Sequence, residues 1–152
     1  MINRIKDFFN KNISEEGAEA GPDADRRIQV AASALLVEMA RVDDEFSEEE
    51  GERIISLLKK EFGLTDELAQ ELVDMAELEL KASVDLWQFT SLINTNYSPD
   101  EKIKLMELVW RVIYADGKLD KHEDYLVKKI ANLLNLRHRE MIDAKLRVLG
   151  RN

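Results

Sequence analysis

The sequence contains no cysteine, only two prolines and six glycines, and no run of about 18 apolar residues, the length that a membrane-spanning helix needs. The absence of cysteine excludes disulfides, thiolate metal sites and cysteine nucleophiles. It is consistent with a reducing compartment, so we expect a cytoplasmic protein. We expect no signal peptide, because Arg4, Lys6 and Asp7 interrupt the apolar residues of the N-terminus.

Positive charge is scarce relative to negative charge. The 152 residues include 22 Lys and Arg against 31 Asp and Glu, for a net charge of −9. Phosphate contacts require a basic face, so we expect no binding to nucleic acid. Cations and basic protein surfaces are better partners for such a chain. At 45% hydrophobic composition, a chain of this length is expected to form one domain with a real core.

Apolar residues at helical spacing are abundant across residues 25–150, and nothing in the sequence resembles a strand. The pattern predicts an all-α fold, a compact bundle of about seven helices. Local signals mark several helix ends. Ser98-Pro99-Asp100-Glu101 combines a capping box with proline at the first helical position. Gly63 followed by Leu64 is typical of a helix stop, Thr65 of a helix cap, and Asn135 of another helix end.

Residues 1–24 are predicted to stand apart from this domain as an N-terminal amphipathic segment and linker. Residues 1–11 have the pattern of a short amphipathic helix, followed by a flexible linker rich in Gly, Ala, Glu and Pro. The apolar face consists of Ile2, Ile5, Phe8 and Phe9, and the basic residues elsewhere are Arg4, Lys6 and Lys11. Either this helix packs back onto the domain, or it docks on a membrane surface or in the groove of a partner.

Two short acidic loops occupy matching positions in the helical pattern. We name residues 42–51 the first acidic loop and residues 115–124 the second acidic loop. With the two aligned at an offset of 73 positions, Asp43 matches Asp116 and Glu50 matches Glu123. In each copy a hydrophobic helix ends, the loop turns, and an amphipathic helix begins.

The regions around these loops, residues 28–64 and 101–136, therefore look like two copies of a helix–loop–helix unit. Two such hairpins packed on each other would bury both apolar stripes. Leu119 and Phe46, which occupy equivalent positions, are expected to plug their loops into the core.

Helix capping accounts for several polar residues of the acidic loops. Ser47 and Asp120 are predicted to cap the helices that follow, and Glu50 and Glu123 to complete capping boxes three residues later. Asp43 and Asp116 have no such local role. Each would lie at a helix C-terminus, where the helix dipole disfavours a negative charge.

A carboxylate in that position requires a compensating cation, which is either a Lys or Arg side chain or a metal ion. Oxygen ligands favour a hard ion such as calcium or magnesium. The candidate ligands are Asp43, Glu50, Asp116, Asp120 and Glu123. Neither loop is an EF-hand, because Ile54 and Val127 stand where that motif places its last coordinating Glu.

The segments MARVDDEFSEEE at 39–50 and YADGKLDKHE at 114–123 resemble the two signature loops of the TerB family of bacterial tellurite-resistance and TerB-like domains. The resemblance extends over residues 27–149. It implies a compact domain of seven or eight helices, associated with tellurite resistance and wider chemical stress. It also implicates the acidic loop residues in metal binding, which here are Asp43, Glu50, Asp116 and Glu123.

This chain departs from the family pattern in two places. The usual Asp-Gly is Asp43-Asp44 in the first acidic loop, so that turn is expected to differ. Arg137 and His138 stand where the family often has a Ser, Thr or Asp cap before its last helix.

Three functions follow as hypotheses. The first is a non-enzymatic, stress-associated module whose acidic loops bind a divalent cation. The second is a protein–protein interaction module whose acidic face, with seven acidic residues among the ten at 43–52, docks a basic partner, at the membrane surface if residues 1–11 bind there. The third, an enzyme, is not expected, since the sequence has no Gly-rich phosphate loop or nucleophile motif and its only histidines are His122 and His138.

Overall fold

The computed structural model of the chain describes residues 22–42, 46–82, 88–115 and 123–150. These residues form seven α-helices and no strand, which confirms the predicted all-α bundle. The helices are α1 (Pro22–Val42), α2 (Glu48–Phe62), α3 (Asp66–Ala82), α4 (Gln88–Asn96), α5 (Pro99–Ala115), α6 (Glu123–Leu133) and α7 (His138–Gly150). The helix predicted over residues 1–11 and the linker up to residue 21 lie outside the described residues, whereas residues 22–24, which the sequence predicts to belong to the linker, form the start of α1.

Helix α1 forms the centre of the bundle. Every residue from 30 to 40 is buried, because α2, α3, α4 and α5 all pack against this helix. Helix α5 is the second hub and contacts α1, α2, α6 and α7. The indole of Trp110 on α5 donates a buried hydrogen bond of 3.1 Å to the carbonyl of Met141, which ties α5 to α7. Among the described helices, none has the length and apolarity that crossing a membrane would demand.

The helix starts agree with the capping signals of the sequence. At α2, the Ser47 hydroxyl accepts from the Glu50 backbone at 3.1 Å, and the Glu50 carboxylate accepts from the Ser47 backbone at 2.9 Å. Ser98 and Glu101 form the same reciprocal pair at α5, at 3.2 and 2.9 Å. Thr65 accepts from the Leu68 backbone at 3.1 Å, in front of α3. These bonds occupy backbone N–H groups that a helix start otherwise leaves unpaired.

The predicted helix ends are also confirmed. Gly63 follows α2 in the left-handed conformation, with φ of 64°, and Leu64 is buried behind it. Asn135 follows α6 with φ of 60°, and the Leu136 N–H reaches back to the Ala131 carbonyl at 2.8 Å. This wrap-around bond occupies a carbonyl at the end of the helix.

Helix α7 begins with a substitute for the missing Ser, Thr or Asp cap. The Arg137 backbone N–H donates to the Glu140 carboxylate at 2.8 Å, and the Arg137 guanidinium lies 3.5 Å from the same oxygen. The backbone hydrogen bond from Arg137, followed by its side chain, lowers the pKa of Glu140 from its ordinary value of 4.5. The start of α7 is therefore capped by a glutamate that reaches back from the first turn.

We expect Glu140→Gln to destabilise the protein at neutral pH, because the amide is a weaker acceptor than the carboxylate. The folded-state pKa of Glu140 is lowered, so its stabilisation is present above the unfolded value and is lost as the pH falls through the folded value. The difference in unfolding free energy between wild type and variant should therefore shrink on acidification. Urea unfolding across the acidic range measures it, with the exposed Glu52→Gln as control. A pH-independent difference would contradict this role.

Helices α1 and α2 cross at very short range beside Gly51. A Cβ atom built at this position would lie 2.5 Å from the Ala40 carbonyl oxygen, which is backbone of α1. Only a residue without a side chain permits this approach, even though glycine is unfavourable inside a helix.

Gly51→Ala should therefore lower the free energy of unfolding by about 1–3 kcal/mol, as overpacking does. The loss is expected despite the gain of up to about 1 kcal/mol that alanine brings in helix propensity. Urea unfolding monitored by circular dichroism measures the change. Gly150→Ala is the matched control, since nothing lies within 4 Å of its added Cβ. Equal stability of the Gly51 variant and wild type would show that α2 can shift away from α1.

Candidate functional site

An aromatic contact joins Phe46, at the end of the first acidic loop that the structure describes, to the start of α6. Phe46 of the first acidic loop is buried, as predicted, and its ring lies 6.2 Å from the ring of Tyr125, centroid to centroid. Tyr125 is the residue that directly follows the second acidic loop. Contacts of α5 with α1 and α2 hold the two helix–loop–helix units together, so Phe46 and the first turn of α6 lie side by side although they are distant in sequence.

The structure describes two of the five predicted metal ligands. Glu50 is half-buried in the first turn of α2, where it forms the capping box with Ser47. Glu123 is half-buried as the first residue of α6. The other three predicted ligands, Asp43, Asp116 and Asp120, lie outside the described residues, as does Leu119. Within the described part of the chain, no three acidic or histidine side chains form a group that could hold a metal ion.

Both described candidates lie at positively polarised helix ends. The first turn of α2 carries Glu48, Glu49 and Glu50, and that of α6 carries Glu123 and Asp124. The helix dipole stabilises carboxylates at such positions, so part of this negative charge is balanced by the backbone itself. The Glu50 carboxylate is also fixed in direction by its bond to the Ser47 N–H.

Basic side chains near the loops are engaged in described contacts. Arg41 in the last turn of α1 forms a salt bridge of 2.8 Å with Glu77 of α3. Its charge is therefore not directed only at the loop that follows α1. Lys128 on α6 lies 3.1 Å from Asp124, and Lys129 donates to the Tyr125 hydroxyl at 3.1 Å. Lys128 thus lies beside the end of the second acidic loop. Arg41, at the end of α1, forms its salt bridge with a different helix, α3.

Glu38 is a further acidic residue near the first acidic loop, and it is not among the ligands predicted from the sequence. It lies about one helical turn before Val42 and is 0% exposed. Neither carboxylate oxygen has a hydrogen-bond partner among the described residues. The signal was present in the sequence, because Glu38 is the only charged residue between Arg27 and Arg41 in the apolar pattern of α1.

A buried carboxyl group without a partner destabilises the fold. Glu38→Met, which keeps a similar volume, should therefore raise the free energy of unfolding by about 1–3 kcal/mol. Chemical denaturation measures the gain. The control is the exposed Glu52→Met, whose effect should stay within about 0.5 kcal/mol. A loss of stability on Glu38→Met would show instead that the carboxylate makes an interaction that the fold requires.

The fold and the paired loops together define a class of small all-α domains built from two helix–acidic loop–helix units. The family model described as "Tellurite resistance protein TerB" matches residues 29–146, most of the chain, and the protein belongs to the TerB family. No curated protein and no solved structure matches the chain.

Proposed function

We propose that this TerB-family domain is a non-enzymatic, stress-associated module of the cytoplasm that binds a divalent cation with its two acidic loops. The observation that supports the proposal is the Phe46–Tyr125 contact, because Phe46 stands just before the acidic start of α2 and Tyr125 lies in the acidic first turn of α6. Two separate loops would offer few ligands each, whereas adjacent loops can share one ion.

The proposed ligands are Asp43, Glu50, Asp116, Asp120 and Glu123, all of which offer carboxylate oxygens. Such a donor set suits calcium or magnesium rather than a softer transition metal. The ion would also relieve the repulsion between the two acidic helix starts, which adds to the affinity. The stress association comes from membership of the TerB family.

Addition of calcium, and then magnesium, at physiological salt should shift the backbone amide signals of residues 43–50 and 116–124 in a saturable manner. A nitrogen–proton NMR titration measures these shifts. The double variant Asp43→Asn with Asp116→Asn should abolish them, because it removes the two carboxylates that capping does not explain. Asp100→Asn, an exposed aspartate in the first turn of α5, is the matched control and should leave the shifts unchanged. A flat titration of wild type up to millimolar ion would refute the proposal.

The second candidate function is a protein–protein interaction module that docks a basic protein surface. It is favoured by the exposure of Glu48, Glu49 and Glu52 on one end of α2. This acidic face would attract a basic partner through long-range electrostatics. The partner would be a protein, at the membrane surface if residues 1–11 also bind there, and not a nucleic acid.

A further inference from the structure

A groove with a volume of about 820 Å³ is formed mainly by α5 and α7, beside the first turns of α1. Its lining includes the apolar side chains of Ile28 of α1, Leu108 of α5, and Val148 and Leu149 of α7. Leu149 is 39% exposed, and Tyr114 at one end of the groove is 38% exposed. Large apolar side chains grouped in a concave surface mark a place where another apolar surface binds.

Charged residues also line this groove. They include Glu61 at the end of α2 and Lys104, Glu107 and Arg111 along α5. Arg147 of α7 holds Glu107 at 3.1 Å. A groove lined by both apolar and charged side chains suits an amphipathic helix, which can contact them with its apolar face and its charged residues respectively.

The length of the groove fits residues 1–11. The groove residues on α5 run from Lys104 to Ala115, which corresponds to about 16 Å along the helix axis at about 1.5 Å per residue. A helix formed by residues 1–11 has about the same length. Its apolar face, with Ile2, Ile5, Phe8 and Phe9, runs along most of that length.

The chain connection also permits the fit. Helix α1 begins at Pro22, and Ile28 in the groove lies only about 9 Å further along that helix. The ten residues from 12 to 21 can span up to about 33–36 Å when extended. Residues 1–11 carry a net charge of +2 in a chain of net charge −9, so electrostatics favour their return to the domain.

We propose that residues 1–11 bind as an amphipathic helix in the groove between α5 and α7 of their own domain. A tether of this length holds the segment at an effective concentration on the order of millimolar, which favours the chain's own segment over that of a second copy. The docking does not depend on cation binding by the acidic loops, so either proposal can fail without the other.

The absence of cysteine makes a site-specific spin label straightforward. A nitroxide is attached to Asn3→Cys in the whole chain. Position 3 is far in sequence from Pro22, where α1 begins, and it lies on the polar side of the predicted helix. Paramagnetic relaxation enhancement should cause a loss of amide signal at groove residues such as Leu108 and Arg111. Phe8→Asp in the labelled chain should restore those signals, because it places a charge on the apolar face.

Two variants of α7 test whether the groove itself binds the segment. Leu149→Asp replaces a groove residue and should reduce the signal loss at Leu108 and Arg111. Leu146→Asp replaces a more exposed leucine, at 58% exposure, that does not line the groove, and should leave the loss unchanged. Equal effects of the two variants, or a signal loss away from the groove, would overturn the proposal.

A mixed sample separates the chain's own segment from that of a second copy. Spin-labelled protein at natural isotope abundance is combined with unlabelled protein enriched in nitrogen-15. The proposal predicts full groove signals for the enriched protein, since its own segment carries no nitroxide. A loss of these signals would show that the segment docks on a neighbouring molecule, contrary to the proposal.

Discussion

Helix α1 must be covered on all sides, and the arrangement of the other helices follows from that requirement. Residues 30–40 are buried without a break, so no face of this part of the helix is left for solvent. Helices α2, α3, α4 and α5 supply the cover. The close approach of α2 to α1 is made possible by Gly51, whose missing side chain leaves room for the Ala40 carbonyl. Burial of apolar surface drives this packing, and the small residue determines how near the two axes come.

The described residues of the first acidic loop have structural roles that are compatible with the proposed ion binding. Ser47 and Glu50 start α2 by capping its free N–H groups, and Phe46 anchors the loop in the core. The same side chain contacts Tyr125 in the first turn of α6. A glutamate that caps a helix is held in a defined direction, which is also what a metal ligand requires. Capping and ion binding are thus compatible uses of Glu50.

The groove and the second acidic loop share the end of α5. Tyr114 and Ala115 line the groove, and Ala115 is the first residue of the second acidic loop. Tyr114 stacks on Trp110, with ring centroids 5.7 Å apart. The Trp110 indole in turn donates a hydrogen bond to the backbone of α7. The C-terminal end of α5 therefore lines the groove and leads directly into the second acidic loop.

The sequence by itself determined the helical class and most described helix ends, because capping is local. Ser47 with Glu50, Ser98 with Glu101, and Gly63 each act within a few residues of their own backbone, so their spacing alone predicts the helix boundary. The two acidic loops could also be recognised from the sequence, because their residues recur at the same local spacing. Candidate ligands could be named from them, although the sequence could not show which carboxylates come together.

Tertiary structure decided the contacts between residues distant in the chain. The meeting of Phe46 with Tyr125, the close approach at Gly51 and the groove between α5 and α7 depend on how helices pack, which no local spacing encodes. Glu38 shows the difference most clearly. Its position in an apolar helix is evident from the sequence, but its complete burial arises because four other helices surround α1.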